Sequence, residues 1–259
     1  MSCLRRYKSL LIIDPMNAEL RVAWVTGAGS GVGRACATAL GERGWIVALS
    51  GRRAPELAET ARLVRAAGGT ALELPFDVAA DDARERVEAI AAATGTDRLD
   101  AVILSAGANT PQRAWADQSM AEFAAVVQTN LLGVVRSADA ALPGLRAASG
   151  VIVVISSIAG WRPSPGAGVA YSAGKTALAP VVRTLNDQEA DAGVRATLLC
   201  PGDIDSDFLR QRPEVPGAAA RAVMLAPADV ARSAMFVIDA PRHVRIDELV
   251  ISPLSQRSA

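Results

Sequence analysis

Seven short apolar runs alternate along this chain with segments whose apolar residues recur at helical spacing, and that alternation leaves few folds open. The runs fall at 22–25, 45–49, 71–76, 99–104, 151–155, 195–199 and 246–251, and the helical segments at 32–43, 54–67, 80–93, 120–142, 168–192 and 228–239. Runs this short and this continuously apolar suit strands covered on both faces, the condition of a parallel sheet. Parallel neighbours need a crossover of about a dozen residues or more, and the intervening helices supply it. The sequence therefore predicts an α/β fold: a doubly wound, parallel, seven-stranded sheet of Rossmann type with helices on both faces. Composition agrees, with 51% hydrophobic residues but only 4% aromatic ones. Residues 1–20 show no period, so a single domain over 21–259 is expected, preceded by a loose extension. Because Met16 stands just before the first strand, residues 1–15 could equally be a mis-assigned start.

The 27 basic and 27 acidic residues balance, and no basic cluster is interleaved with aromatics, so neither nucleic acid nor an anionic membrane is an expected partner. A small ligand or cofactor is. Cys3, Cys36 and Cys200 are odd in number and far apart, and His243, in a loop, is the one histidine. Neither a disulfide scaffold nor a metal site is expected. No apolar run approaches the roughly 18–20 residues of a spanning helix. Arg5, Arg6 and Lys8 before Leu10–Leu11–Ile12–Ile13 resemble a signal peptide, but Asp14 ends that core too early, and a cytoplasmic protein is expected.

Two local patterns bear on chemistry. Thr26–Gly27–Ala28–Gly29–Ser30–Gly31–Val32–Gly33 lies between the first strand and the first helix, where bare backbone can approach a pyrophosphate at a helix N-terminus. Tyr171 and Lys175 are four residues apart, so a helix places phenol and ammonium on one face. Pro180 follows in the same segment; it lacks a backbone donor and clashes with the Thr176 carbonyl, which predicts a kink just beyond Lys175. The irregular stretch 203–227, after the carboxyl end of a strand, is a candidate lid. Trp161, Val169, Phe208 and Leu209 are candidates for an apolar wall of the cleft.

With these features in register, the sequence from about residue 20 to 256 resembles the single-domain branch of the short-chain dehydrogenase/reductase family. The resemblance rests on the T-G-x-x-x-G-x-G turn, on Asp77–Val78 after the third strand, on Ser105–Ala106–Gly107 after the fourth, and on Pro201–Gly202 with Ile204 and Ser206 after the sixth. Asn130, Ser157, Tyr171 and Lys175 fall on the family's catalytic tetrad. Ser157 and Tyr171 are 14 positions apart, one more than is commonest in the family, which leaves Ser156 as the alternative.

The resemblance implies a nicotinamide-dependent oxidoreductase acting on a carbonyl or secondary alcohol. Gly27, Gly29, Ser30, Gly31, Val32 and Gly33 would hold the cofactor diphosphate, Asp77 and Val78 the adenine, and Ser105, Ala106, Gly107, Pro201, Gly202, Ile204 and Ser206 the rest, with Tyr171 and Lys175 touching the ribose. Tyr171 would transfer a proton, Lys175 would lower its pKa, Ser157 would donate to the substrate oxygen, and Asn130 would anchor a water. After the second strand, Ser50–Gly51–Arg52–Arg53 has no carboxylate for a ribose 2′-hydroxyl, so Arg52, aided by Arg53, favours NADP(H), with NAD(H) the alternative. A homo-oligomer is implied, a tetramer or a dimer paired through the segments 120–142 and 168–192. The rival reading is a regulator that binds nucleotide without turnover; an epimerase on a similar fold would want a longer C-terminal substrate domain.

Overall fold

The computed structural model describes residues 20–80 and 82–256, so the expected extension lies, but for Leu20, outside the described residues. Within them the strands are β1 (Val22–Thr26), β2 (Ile46–Gly51), β3 (Thr70–Pro75), β4 (Ala101–Leu104), β5 (Val151–Ile155), β6 (Arg195–Pro201) and β7 (Glu248–Ile251). They form one wholly parallel sheet in the order β3-β2-β1-β4-β5-β6-β7. The α-helices are α1 (Gly31–Gly41), α2 (Ala54–Ala66), α3 (Ala83–Thr94), α4 (Met120–Val127), α5 (Gly133–Ala148), α6 (Ile158–Trp161), α7 (Val169–Thr176), α8 (Leu178–Gln188), α9 (Ala218–Arg221) and α10 (Pro227–Ile238).

Alternate residues of each strand feed two cores. Val22 and Trp24 of β1 join Ile152 and Val154 of β5 beneath α3, α5 and α8, through Ile90, Leu145 and Leu178. Ala23 and Val25 join Val151 and Val153 beneath α1, α2 and α10, through Leu40, Leu57 and Val230. Each such aliphatic side chain contributes roughly 1.5–3 kcal/mol on burial, which is why both faces of the central strands read as apolar. Trp24 is fully buried, and its indole Nε1 donates to the Ser50 Oγ at 2.9 Å, so its polar edge is satisfied. β1 lies between β2 and β4, and the chain leaves its carboxyl end where strand order reverses, the place where sheets of this kind bind ligands.

Two predicted helices are corrected. The segment 120–142 is not one regular helix: α4, started by a Ser119–Glu122 capping box, runs into a π-helical turn at Gln128–Leu132 and then into α5. α5 does not stop at Leu142 but passes through Pro143, because Gly144, Leu145 and Ala148 beyond it belong to the same buried face. It ends at Ser149, the one non-glycine residue with positive φ (50°) among the described residues. The segment 168–192 divides at Ala177 into α7 and α8, the interruption predicted from Pro180, and a separate 3₁₀ turn follows at Ala190–Ala192. The stretch 203–227 contains a 3₁₀ helix at Asp207–Gln211 and α9, and is tied across itself by a bridge between Ile204 and Leu225.

Candidate active site

A cavity of about 950 Å³ opens at the carboxyl ends of the strands. At one end lies the glycine-rich turn. Gly27 has φ of 66°, and a Cβ there would come within 2.7 Å of the Ala106 backbone nitrogen; at Gly33 a Cβ would come within 2.2 Å of the Gly27 oxygen. The turn is thus packed as tightly as bare backbone permits. Gly31 differs: at φ of 52° its absent Cβ would clash with nothing and would stand in ordinary contact with the Ser206 side chain, 3.6 Å away. A diphosphate fits that cradle of backbone donors facing Ser206, so the residues present suit a dinucleotide.

Gly27, Gly29, Ser30, Gly31, Val32, Arg52, Arg53, Asp77, Val78, Ser105, Ala106, Gly107, Pro201, Gly202, Ile204 and Ser206 all line this cavity, whereas Gly33 supports the turn from behind. The two arginines differ. Arg53 pairs with Glu56 at 3.1 Å and reaches the Ser30 Oγ at 3.4 Å, whereas no carboxylate among the described residues pairs with the exposed Arg52. The Asp77 carboxylate accepts from the Ala79 nitrogen at 3.0 Å, closing its own turn.

Ser157, Tyr171 and Lys175 meet in the middle of the cavity, at the end of β5 and on α7. The Ser157 hydroxyl hydrogen-bonds Tyr171, while Ser156 points away and donates to the Lys175 carbonyl at 3.1 Å. Between Ser157 and Tyr171 the chain runs through α6 and a 3₁₀ turn at Pro165–Ala167. The buried Lys175 donates from Nζ to the Ile155 carbonyl at 2.8 Å and lies 6.0 Å from the Tyr171 ring centre. Burial lowers its pKa to about 8. Burial also raises the pKa of Tyr171; Ser157, then Arg113 and Arg212, pull it back. Arg113 and Arg212 thus bear on the phenol as cations that the sequence did not mark, beside Lys175, whose Nζ stands over the ring.

Asn130 is fully buried in the π-helical turn, and both ends of its side-chain amide bond Ala108: Oδ1 accepts from that residue's nitrogen at 2.9 Å and Nδ2 donates to its oxygen at 2.7 Å. It pins the segment after β4. A Cβ at Gly107 would fall 3.3 Å from the Asn130 Oδ1 and 3.8 Å from the Lys175 Nζ, so this crossing of chains leaves little room for a side chain.

At the other end of the cavity the sequence marked Phe208 and Leu209 and, as a candidate lid, the stretch 203–227, but no other residue singly. Phe208 and Leu209 line it, with the Phe208 ring 5.9 Å from that of Tyr171; Trp161 and Val169 do not line it. Asn109, Arg113, Gln211, Arg212 and Gln256 complete this wall. Gln211 Oε1 accepts from the Asn109 nitrogen at 2.6 Å, and Gln256 Oε1 from the Asp203 nitrogen at 2.9 Å. These residues sit in irregular segments without periodicity, and no spacing in the sequence marks them. Cys200 is buried below Ser156, its thiol pKa pushed up to about 11 by burial, as befits a core residue rather than a nucleophile. Among the described residues no helix is long and apolar enough to cross a membrane.

Comparison with known proteins gives the same outline. The family model described as short chain dehydrogenase matches residues 21–216. A glycine betaine reductase of Emericella nidulans is 35% identical over 241 residues, which cover 90% of this chain but only 19% of that relative. An uncharacterized oxidoreductase of Staphylococcus aureus is 32% identical over 235 residues, covering 90% of this chain and 97% of its own. Among solved structures, an alcohol dehydrogenase from Thermococcus sibiricus, complexed with 5-hydroxy-NADP, superposes with a TM-score of 0.82 at 29% identity, over 93% of this chain and all of that one.

Proposed function

Because the chain belongs to the short-chain dehydrogenase family, we propose that it is an NADP(H)-dependent oxidoreductase that interconverts a carbonyl and a secondary alcohol, with Tyr171 moving the proton. The observation that carries this reading is the meeting of the Ser157 and Tyr171 hydroxyls beside a buried lysine, in a cavity whose far end is a diphosphate cradle.

When bound, the nicotinamide supplies or accepts a hydride. The chain's own groups handle position and proton. The cradle around Gly31 and Ser206 would hold the diphosphate, Arg52 would meet a 2′-phosphate, and the segments 77–78 and 201–206, which line the same cavity, would hold the remainder. At neutral pH burial keeps the Tyr171 oxygen protonated, ready to donate to a developing alkoxide. Ser157 places its hydroxyl where the substrate oxygen gains charge. Lys175, with a pKa of about 8 and anchored on the Ile155 carbonyl, is mostly protonated at pH 7 and replaces the proton that Tyr171 gives up.

The test is carbonyl-dependent oxidation of NADPH by the parent and by Tyr171→Phe. Loss of the proton donor is expected to lower kcat by about 10²–10⁴-fold while NADPH binding persists. A Phe variant that keeps most of the parent kcat would overturn the mechanism.

A further inference from the structure

Within that reading, we propose that the substrate carries a carboxylate, held between Arg113 and Arg212 at the end of the cavity beyond Tyr171. The substrates are then oxo acids and their hydroxy-acid counterparts.

Arg113 stands in the segment after β4, and three loops converge on its guanidinium. Nε donates to the Thr110 oxygen at 3.1 Å, one terminal nitrogen to Gly166 at 3.1 Å and the other to Gln211 at 2.9 Å. Three of five N–H groups are thereby used and the fork is fixed in place; two remain. All three partners are neutral carbonyls, and no carboxylate among the described residues pairs with it. Arg212 follows Gln211 directly and is joined to Asp203, at the end of the Pro201–Gly202 turn. Both arginines line the cavity with Tyr171 and Phe208.

Charge decides what belongs there. Arg212 is paired with Asp203 and Arg210 with Asp207, and the exposed Glu214, which also lines the cavity, pairs with neither Arg113 nor Arg212, so Arg113 is the guanidinium of this wall left without a carboxylate. Burial, and then the charge of Arg212, lower the pKa of Arg113, as expected for a cation withdrawn from water without a counter-ion. A partly buried cation left in this state is costly unless something pairs with it. A monoanion offsets the excess, whereas a phosphate dianion exceeds it. The planar fork of an arginine also suits a carboxylate. The Phe208 ring lines the same cavity, 5.9 Å from that of Tyr171, so an apolar segment joining the carboxylate to the reacting carbonyl has a ring to pack against.

The experiment has two independent arms. The first compares 2-, 3- and 4-oxo acids with their methyl esters as NADPH-dependent substrates. At least one acid is expected to exceed its ester about tenfold or more in kcat/KM, mainly through KM, the factor that one charge-assisted pair supplies. Arg212→Gln is expected to collapse that ratio and Arg212→Lys to restore part of it. Because Arg113 ties three loops, its replacement risks the fold, and the decisive variants are those at Arg212. The second arm titrates the NADP⁺-loaded protein calorimetrically with pentanoate, pentanamide and inorganic phosphate. Pentanoate is expected to bind, more weakly in Arg212→Gln, and pentanamide to fail. Esters turned over as well as acids, pentanoate binding unchanged in Arg212→Gln, or phosphate binding more tightly than pentanoate would each overturn the proposal. Should no carbonyl be reduced, the oxidoreductase reading fails, and the titration still decides this one.

Discussion

Gly31→Ala tests where the dinucleotide sits, and a second glycine provides its control. Gly31 has φ of 52° and Gly44, in the turn after α1, has φ of 73°, so alanine meets left-handed strain at both positions. That strain costs about 1–2 kcal/mol, which for a chain of this size lowers Tm by roughly 2–8 °C. Nothing lies within 4 Å of the added methyl at Gly44, while at Gly31 it points across the cradle toward Ser206, 3.6 Å away. The two variants are therefore expected to lose similar stability by thermal unfolding. Only Gly31→Ala is expected to lose NADPH affinity, because its methyl occupies the space through which backbone donors would reach the diphosphate. Hydrogen bonds to charged groups contribute about 1.5–3 kcal/mol each, so losing one raises Kd at least roughly tenfold by fluorescence titration. An unchanged Kd in a folded Gly31→Ala protein would refute the placement, and an equal loss in Gly44→Ala would show strain, not occlusion, to be the cause.

Three further outcomes are expected. The buried Lys175 has a folded pKa of about 8, below its unfolded value, so its charge penalises the folded state fully below pH 8 and the penalty is relieved as pH rises from 8 toward 10.5. Relative to Lys175→Met, the parent should therefore gain about 1 kcal/mol between pH 7 and 9 in denaturant titrations, and a flat difference would contradict the burial argument. Arg52→Ala should raise KM for NADPH about tenfold and leave that for NADH nearly unchanged, since Arg53 is already committed to Glu56; an unchanged NADPH value would shift the assignment to Arg53. Light scattering should report a homo-oligomer, since Ala124, Ala125 and Leu132 on α4 and its continuation, and Ala173 and Thr176 on α7, are exposed; a monomer mass across a wide concentration range would refute it.

The sheet was legible because burial on both faces demands continuous β-branched and aliphatic runs, and β5 lies where Val151–Ile–Val–Val–Ile155 places it. The break between α7 and α8 was legible because proline acts through covalent geometry, whatever packs around it. The end of the segment 120–142 was misplaced for the converse reason: a buried face carries α5 past Pro143, a residue that by itself would end it. The π-helical turn has no local signature, since it depends on Asn130 reaching Ala108 and on α7 packing close enough for a Cβ at Gly174 to lie 3.2 Å from the Asn130 side chain. That Tyr171 and Lys175 share a helix face was legible from their spacing, whereas which of Ser156 and Ser157 turns toward Tyr171 needed the direction of each side chain. Arg113 and Arg212 stand far apart in sequence on irregular segments, and only the tertiary structure brings them to one wall.

The π-helical turn has a consequence for length. It winds one more residue into a turn than an α-helix does, so α5 enters with its faces rotated by about 100° from where an uninterrupted α4 would have sent them. Wound as an ordinary helix with every residue kept, the segment would swing Val134, Ala138 and Leu145 off the sheet; with one residue removed from 128–132 it could relax to an ordinary helix with those residues still on the sheet, at the cost of the wide turn from which Asn130 reaches Ala108. Surface loops here can lengthen or shorten at little cost; in this helix the extra residue is one that the core does not need and the Asn130–Ala108 tie does.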